Sequence, residues 1–205
     1  WRDTVLTLYD NLDSGNGYKV RLLLSWLEIP FERVEVDTYA GESRRPEFLA
    51  RSPNGKVPVL DLGDGDHLWE SGAILFYLAD GTAFLPDDRR ARAEVLKWMF
   101  FEQYSHEPYV AVLRSWSRHG PVTDERKRQW AARESEGYRA LDIMEGHLES
   151  RDWFVGEGPT IADIALFAYT HVADQGGFEM GRYPAIRRWI GRVRSLPRFR
   201  PLDQP

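Results

Sequence analysis

The hydrophobic period of this chain changes once, and that change limits what it can fold into. Up to residue 82, short strand-like runs alternate with short helical ones. Beyond Gly81 to Asp88, a stretch holding Gly, Pro and two Asp, the patterns are helical and long. Such a break predicts a small mixed sheet flanked by helices, followed by an all-α part. In the first part Leu6-Thr7-Leu8-Tyr9 reads as a short strand. Val20, Leu23, Leu24 and Leu27 keep the i, i+3, i+4, i+7 spacing of one helix face over residues 18–28, and Pro30 ends that helix. Phe31 to Asp37 alternates, with Val34 and Val36 on one face. Residues 44–51 read as a short helix or turn, and Val57 to Leu62 as a third strand. Gly63-Asp64-Gly65-Asp66 is a hairpin turn into a short fourth strand, His67-Leu68-Trp69. Ser71 then caps a helix through Ala79. The expected class is α+β, with a β-α-β-α-β-β-α domain over residues 1–82 and an all-α domain over 88–205.

The helical part carries four patterns. Residues 89–118 form one, bent near Pro108, because an interior proline removes a backbone hydrogen bond. Residues 124–149 form the second. Thr160 and Asp163 open the third as a capping box, a folding signal with no chemistry assigned to it. Tyr183-Pro184 begins the fourth, which runs to about Ser195.

Composition narrows the function classes. The chain has no cysteine, so disulfides, thiolate metal sites, a CxxC redox pair and a protein-borne thiol nucleophile are excluded. A formal net charge of −5 argues against a nucleic-acid partner bound through bulk positive charge. Residues 1–82 hold 8 Lys and Arg against 14 Asp and Glu, and the rest hold 19 against 18, which fits two units with different tasks. No apolar run approaches the ~20 residues that span a bilayer. No basic-then-apolar leader is visible, although a sequence opening on Trp1 is expected to lack its true start. The expected location is therefore cytoplasmic, without a membrane partner. The histidines have no metal-ligand spacing, and Asp61, Asp64 and Asp66 lack the glycine and terminal glutamate of a calcium loop, so no metal is expected.

Ser14-Gly15-Asn16-Gly17 lies between the first strand and the first helix. A helix start offers unpaired N–H groups and partial positive charge, so it favours an anion, and a hydroxyl or amide there can donate to one. The same residues also suit a plain turn, since Asn-Gly is a hairpin signal and Ser a common cap. The helical period that follows speaks against a hairpin. Glu70 and Ser71, at the start of the third helix, set an anion beside a hydroxyl and free N–H groups. That pair can match the ammonium and carboxylate of an amino-acid head group, or can be ordinary capping.

Four local patterns, in this order and spacing, carry a resemblance over nearly the whole chain: Leu8 to Ser14, Asn54-Gly55-Lys56-Val57-Pro58-Val59-Leu60, Glu70-Ser71-Gly72-Ala73-Ile74, and Thr160-Ile161-Ala162-Asp163. Together they resemble the soluble glutathione transferase family. Ser14 stands five residues after Tyr9, as in the theta-like pattern. Ser14 to Gly17 is also similar to the bacterial nu-like Thr-Pro-Asn-Gly, with Gly15 in place of proline. The resemblance implies a thioredoxin-like first domain that binds glutathione as cosubstrate, with no metal. It implies that Ser14 and Asn16 stabilise the glutathione thiolate, with Tyr9 as the rival donor. It implies a cis Val57–Pro58 bond, backbone pairing of Val57 with the cysteinyl residue, and contacts from Lys56 to the glycyl carboxylate and from Glu70 and Ser71 to the γ-glutamyl end. Tyr104, Tyr109 and Leu113, on an aromatic-rich helix, would wall the electrophile site, while His106 among them reads as structural. The function so implied is a homodimeric transferase of detoxification acting on a small electrophile or a disulfide. The alternatives are a glutathione-dependent disulfide reductase and a non-catalytic binding module of the same fold.

Overall fold

The computed structural model describes residues 5–204, so Trp1 lies outside the described residues. The chain divides into two compact units. One runs up to Asp80 and takes in the tail from Pro197; the other is Gly81 to Leu196.

The first unit contains β1 (Leu6–Asp10), α1 (Gly15–Trp26), β2 (Phe31–Glu35), a 3-10 turn (Glu42–Arg44), α2 (Pro46–Leu49), β3 (Val59–Asp61), β4 (His67–Trp69) and α3 (Ser71–Ala79). The sheet order is β2-β1-β3-β4. Strands β1 and β2 are parallel and the other pairs antiparallel, with Leu8 opposite Arg33 on one side and Leu60 on the other. This is a thioredoxin-like domain. Strand alternation sends Leu6, Leu8 and Asp10 inward, and leaves Thr7 and Tyr9 on the opposite face. Leu22, Leu23 and Leu24 of α1, with Leu60, Ile74 and Leu75, are wholly buried, and α1 packs against α3.

Several boundaries differ from those the sequence predicts. Helix α1 starts earlier, because Ser14 caps it, and ends at Trp26, where Glu28 turns left-handed (φ 56°) ahead of Pro30. Strand β3 starts at Val59, after a cis Val57–Pro58 bond. Val34 and Val36 do not share a buried face. β2 is an edge strand that ends at Glu35, leaving Val34 exposed, while the Val36 N–H donates to Asp10 O (2.7 Å) and its side chain packs with Phe48 and Val59. The tail belongs with the first unit because its backbone oxygens satisfy α1. Tyr18 Oη donates to Arg200 O (2.6 Å), Arg21 to Leu202 O (3.0 Å) and Gln204 O (2.5 Å), and Ser25 Oγ to Arg198 O (2.9 Å).

The second unit is helical: α4 (Arg89–Phe101), a π turn (Glu102–His106), α5 (Glu107–Arg118), α6 (Asp124–Leu148), α7 (Ile161–Thr170) and α8 (Pro184–Arg194). The bend expected near Pro108 is that π turn. Pro108 has no N–H to return to the preceding turn, and the wider turn absorbs the mismatch. His106 is wholly buried, with Nε2 3.0 Å from Thr170 Oγ1. Every residue of α7 is buried, as its all-round apolar sequence requires. Its capping box is complete. The Asp163 carboxylate accepts from Thr160 N (2.9 Å), Thr160 Oγ1 (3.1 Å), Phe154 N (3.2 Å) and Trp189 Nε1 (2.9 Å). Burial pushes its pKa up to about 6 against the pull of those donors. Among the described residues no helix is long and apolar enough to cross a membrane, and no cluster of His, Asp and Glu is able to hold a metal ion.

Candidate functional site

The loop from β1 to α1 is held at both ends. Asn11 Nδ2 donates to Glu35 Oε1 (3.0 Å) and Val36 O (3.3 Å), and Leu12 N to Glu35 Oε1 (3.2 Å). Beneath it, Arg21 lies 2.9 Å from Asp10 Oδ2, both side chains fully buried, and reaches Leu12 O at 2.7 Å. Burial pushes the Asp10 carboxyl up and Arg21 down, each opposed by the other's charge. Ser14 therefore enters α1 on a fixed path. Its Oγ accepts from Gly17 N (3.2 Å), which occupies a lone pair and leaves the hydroxyl proton to be donated elsewhere. The first turn of α1 carries no acidic residue, so its positive end is not neutralised from within.

Asn16 joins this helix start to that of α3. Its Oδ1 accepts from Ser71 Oγ (3.3 Å) and from Lys19 Nζ (2.7 Å). This corrects the role expected for Ser71. The cap residue of α3 is Glu70, and Ser71 is the first helical residue, its hydroxyl drawn to a partner 55 residues away. Glu70 sits at φ 70° with no side-chain cap bond, a conformation that costs a non-glycine residue about 1–2 kcal/mol. Its exposed carboxylate accepts from Asn54 Nδ2 (3.3 Å), and Asn54 O accepts from Arg44 (3.1 Å). The N–H groups that open α3 are thus left to an outside acceptor.

Val57 precedes β3, so its N–H and C=O are not used by the sheet ladder. Its side chain packs with Tyr9 on the cluster of Val36, Phe48 and Val59. Pro58 is buried and Lys56 exposed; Lys56 O accepts from Ser52 Oγ (3.2 Å). Tyr9 lies on the sheet face opposite Asp10, with the Arg51 guanidinium 4.8 Å over its ring.

Of the predicted site residues, Ser14, Asn16, Ser71 and Glu70 gather at the starts of α1 and α3, and Lys56, Val57 and Pro58 form the loop into β3. Tyr104, Tyr109 and Leu113 belong to the second unit. Tyr104 is 85% exposed, Tyr109 is half-buried, and Leu113 is wholly buried in that unit's core, which leaves it no surface to offer a ligand. The sequence reading missed Lys19, Arg21 and Asn54. The signal for the first two was a pair of cations inside an otherwise apolar helical run.

A family model for the glutathione S-transferase N-terminal domain matches residues 4–80, and one for the C-terminal domain matches residues 94–197. Among curated proteins, the disulfide-bond oxidoreductase YfcG of Escherichia coli (strain K12) is 33% identical over 189 residues, 89% of this chain and 87% of its own. Among solved structures, a glutathione S-transferase from Pseudomonas fluorescens Pf-5 is 50% identical with a TM-score of 0.95, over 97% of this chain and 99% of its own. A glutathione transferase family member from the same strain, solved with two glutathione molecules bound, is 31% identical with a TM-score of 0.83, over 95% and 90% of the two chains.

Proposed function

The chain belongs to the glutathione S-transferase family, and on that premise we propose that it is a glutathione transferase that ionises the thiol of glutathione at the start of α1 and directs it at an electrophile. The observation that carries this reading is the Ser71–Asn16 hydrogen bond. It makes neighbours of the two helix starts that the family pattern gives to the sulfur and to the γ-glutamyl head. A free thiol has a pKa of about 8.5, and each unit of depression is about 1.4 kcal/mol of preference for the thiolate. One charge-assisted donor is worth roughly 1.5–3 kcal/mol, so Ser14 and Asn16 with the helix end suffice to ionise most of the bound thiol at neutral pH. The uncapped N–H groups of α3 suit the γ-glutamyl carboxylate and Glu70 its ammonium. The Val57 backbone suits the cysteinyl residue, and Lys56 the glycyl carboxylate. Tyr9 is disfavoured as thiol donor, since its ring faces away from the side of the sheet that carries α1. By the same resemblance the assembly is a homodimer, which sedimentation tests.

A second reading, glutathione-dependent disulfide reduction, is favoured by the similarity to a disulfide-bond oxidoreductase and to a relative holding two glutathione molecules. Calorimetry with glutathione, then turnover of a chloronitrobenzene and of hydroxyethyl disulfide, separates the two. Ser14→Ala and Asn16→Ala should each lower kcat/KM about 10- to 100-fold, and Tyr9→Phe should change it little. Loss of activity in Tyr9→Phe with Ser14→Ala unaffected would reverse the assignment. Binding without either turnover would favour a non-catalytic module.

A further inference from the structure

We propose that Lys19 is a positioning residue for the reactive sulfur: it locks the Asn16 amide with its oxygen turned into the protein and its donor end turned away. The inference rests on the glutathione reading above. Lys19 follows Asn16 by one helical turn, and its side chain is 1% exposed within the buried run of α1. Lysine is among the residue types least often fully buried, because the charge must be compensated. The Lys19 ammonium lies 2.7 Å from Asn16 Oδ1. An ammonium has three donors and no acceptor, so the amide atom that meets it must be the oxygen. Ser71 Oγ supplies a second donor to the same oxygen at 3.3 Å. A carbonyl has two lone pairs, and both are engaged. Flipping the amide would set its N–H protons against the lysine and displace the serine bond, so one orientation is enforced. Asn16 then presents donors, and only donors, on its other side.

The cation has a second effect. A charge-assisted bond to the oxygen polarises the amide and makes its N–H groups stronger donors, and it adds to the positive end of α1. On the strand before α1, Asp10 is paired with Arg21, and at the start of α3 the exposed Glu70 is engaged by Asn54. A neutral residue at position 19 would keep the helix and lose the lock and this polarisation.

The test compares the unaltered chain with Lys19→Met, loaded with glutathione. The ultraviolet absorbance of the thiolate is titrated against pH, and kinetics are taken at neutral and alkaline pH. Loss of the lock should raise the pKa of the bound thiol by about one and lower neutral-pH kcat about tenfold, with activity recovering once the pH passes the new pKa. The KM for glutathione and the affinity for S-methylglutathione, which has no thiol to ionise, should move less than about threefold. If Lys19→Met does not fold, Lys19→Gln keeps a donor without the charge and should shift the thiol pKa in the same direction. An unchanged thiol pKa in whichever variant folds would overturn the inference while leaving glutathione binding intact. Absence of glutathione binding by the unaltered chain would remove the functional reading and this one with it.

Discussion

Replacing Gly17 with alanine sets two physical arguments against each other. Within a helix alanine is favoured over glycine by about 1 kcal/mol, so propensity alone predicts a more stable protein. The structure predicts the reverse. Gly17 is the third residue of α1, and a Cβ there would lie 1.5 Å from Asp10 Oδ1, 2.2 Å from Cγ and 2.7 Å from Oδ2. The carboxylate would have to leave, and it has nowhere to go. It is wholly buried at the end of β1, 2.9 Å from Arg21, whose guanidinium is itself held by Leu12, Leu202 and Gln204 carbonyls. Breaking a buried ion pair costs about 3–5 kcal/mol, so after the propensity gain the variant should lose about 2–4 kcal/mol. That is a large part of the roughly 5–15 kcal/mol by which domains are stable. Urea unfolding followed by tryptophan fluorescence and circular dichroism should give a lower midpoint at similar slope. Glutathione binding should weaken as well, since the Ser14 hydroxyl is anchored on Gly17 N. A variant as stable as the parent, or more so, would refute the claim that Asp10 and Arg21 fix the position of α1.

Asp163→Ala should cost about 3–9 kcal/mol, because it strands the Thr160, Phe154 and Trp189 N–H donors in the core at roughly 1–3 kcal/mol each; a loss under about 1 kcal/mol in urea would contradict this. For His171, burial pushes the pKa down to about 4 from an ordinary 6.5. The unfolded chain therefore binds the proton more tightly, and the stability this ring contributes is full above 6.5 and lost as pH falls toward 4. His171→Gln should accordingly flatten the fall of melting temperature across that window, and an unchanged fall would count against it.

Much of the architecture was legible because its signals are local. The change of period, the Gly63–Asp66 turn and the Thr160/Asp163 box each sit within a few residues of what they specify. The turn forms as Leu62 N donates to Asp66 O at 3.1 Å. The misreadings share another origin. Ser71 looked like a cap because capping is a local competition, but the cap position falls to Glu70 and the Ser71 hydroxyl goes to Asn16, far away in sequence. Lys19 and Arg21 go unassigned, since a cation inside an apolar helical run does not name its partner. Lys19 meets Asn16 within α1 itself, while the partners of Arg21 come from a strand end, a loop and a tail. Leu113 is placed on the wall by the resemblance alone, which does not tell whether a given position on that helix meets core or solvent, and it is wholly buried. The nu-like and theta-like patterns overlap at Ser14, and the sequence does not say that Tyr9 lies on the sheet face opposite Asp10, the observation that bears on the choice of donor.

The return of residues 198–204 to α1 has a consequence for biosynthesis. Tyr18 donates to Arg200 O there, and Arg21 adds the Leu202 and Gln204 carbonyls to the Leu12 carbonyl it already meets. A nascent chain that has just released α3 from the ribosome holds every strand of its sheet, yet lacks two of the backbone oxygens that quench a buried guanidinium. The half made first is therefore finished last, after the whole helical half has been translated.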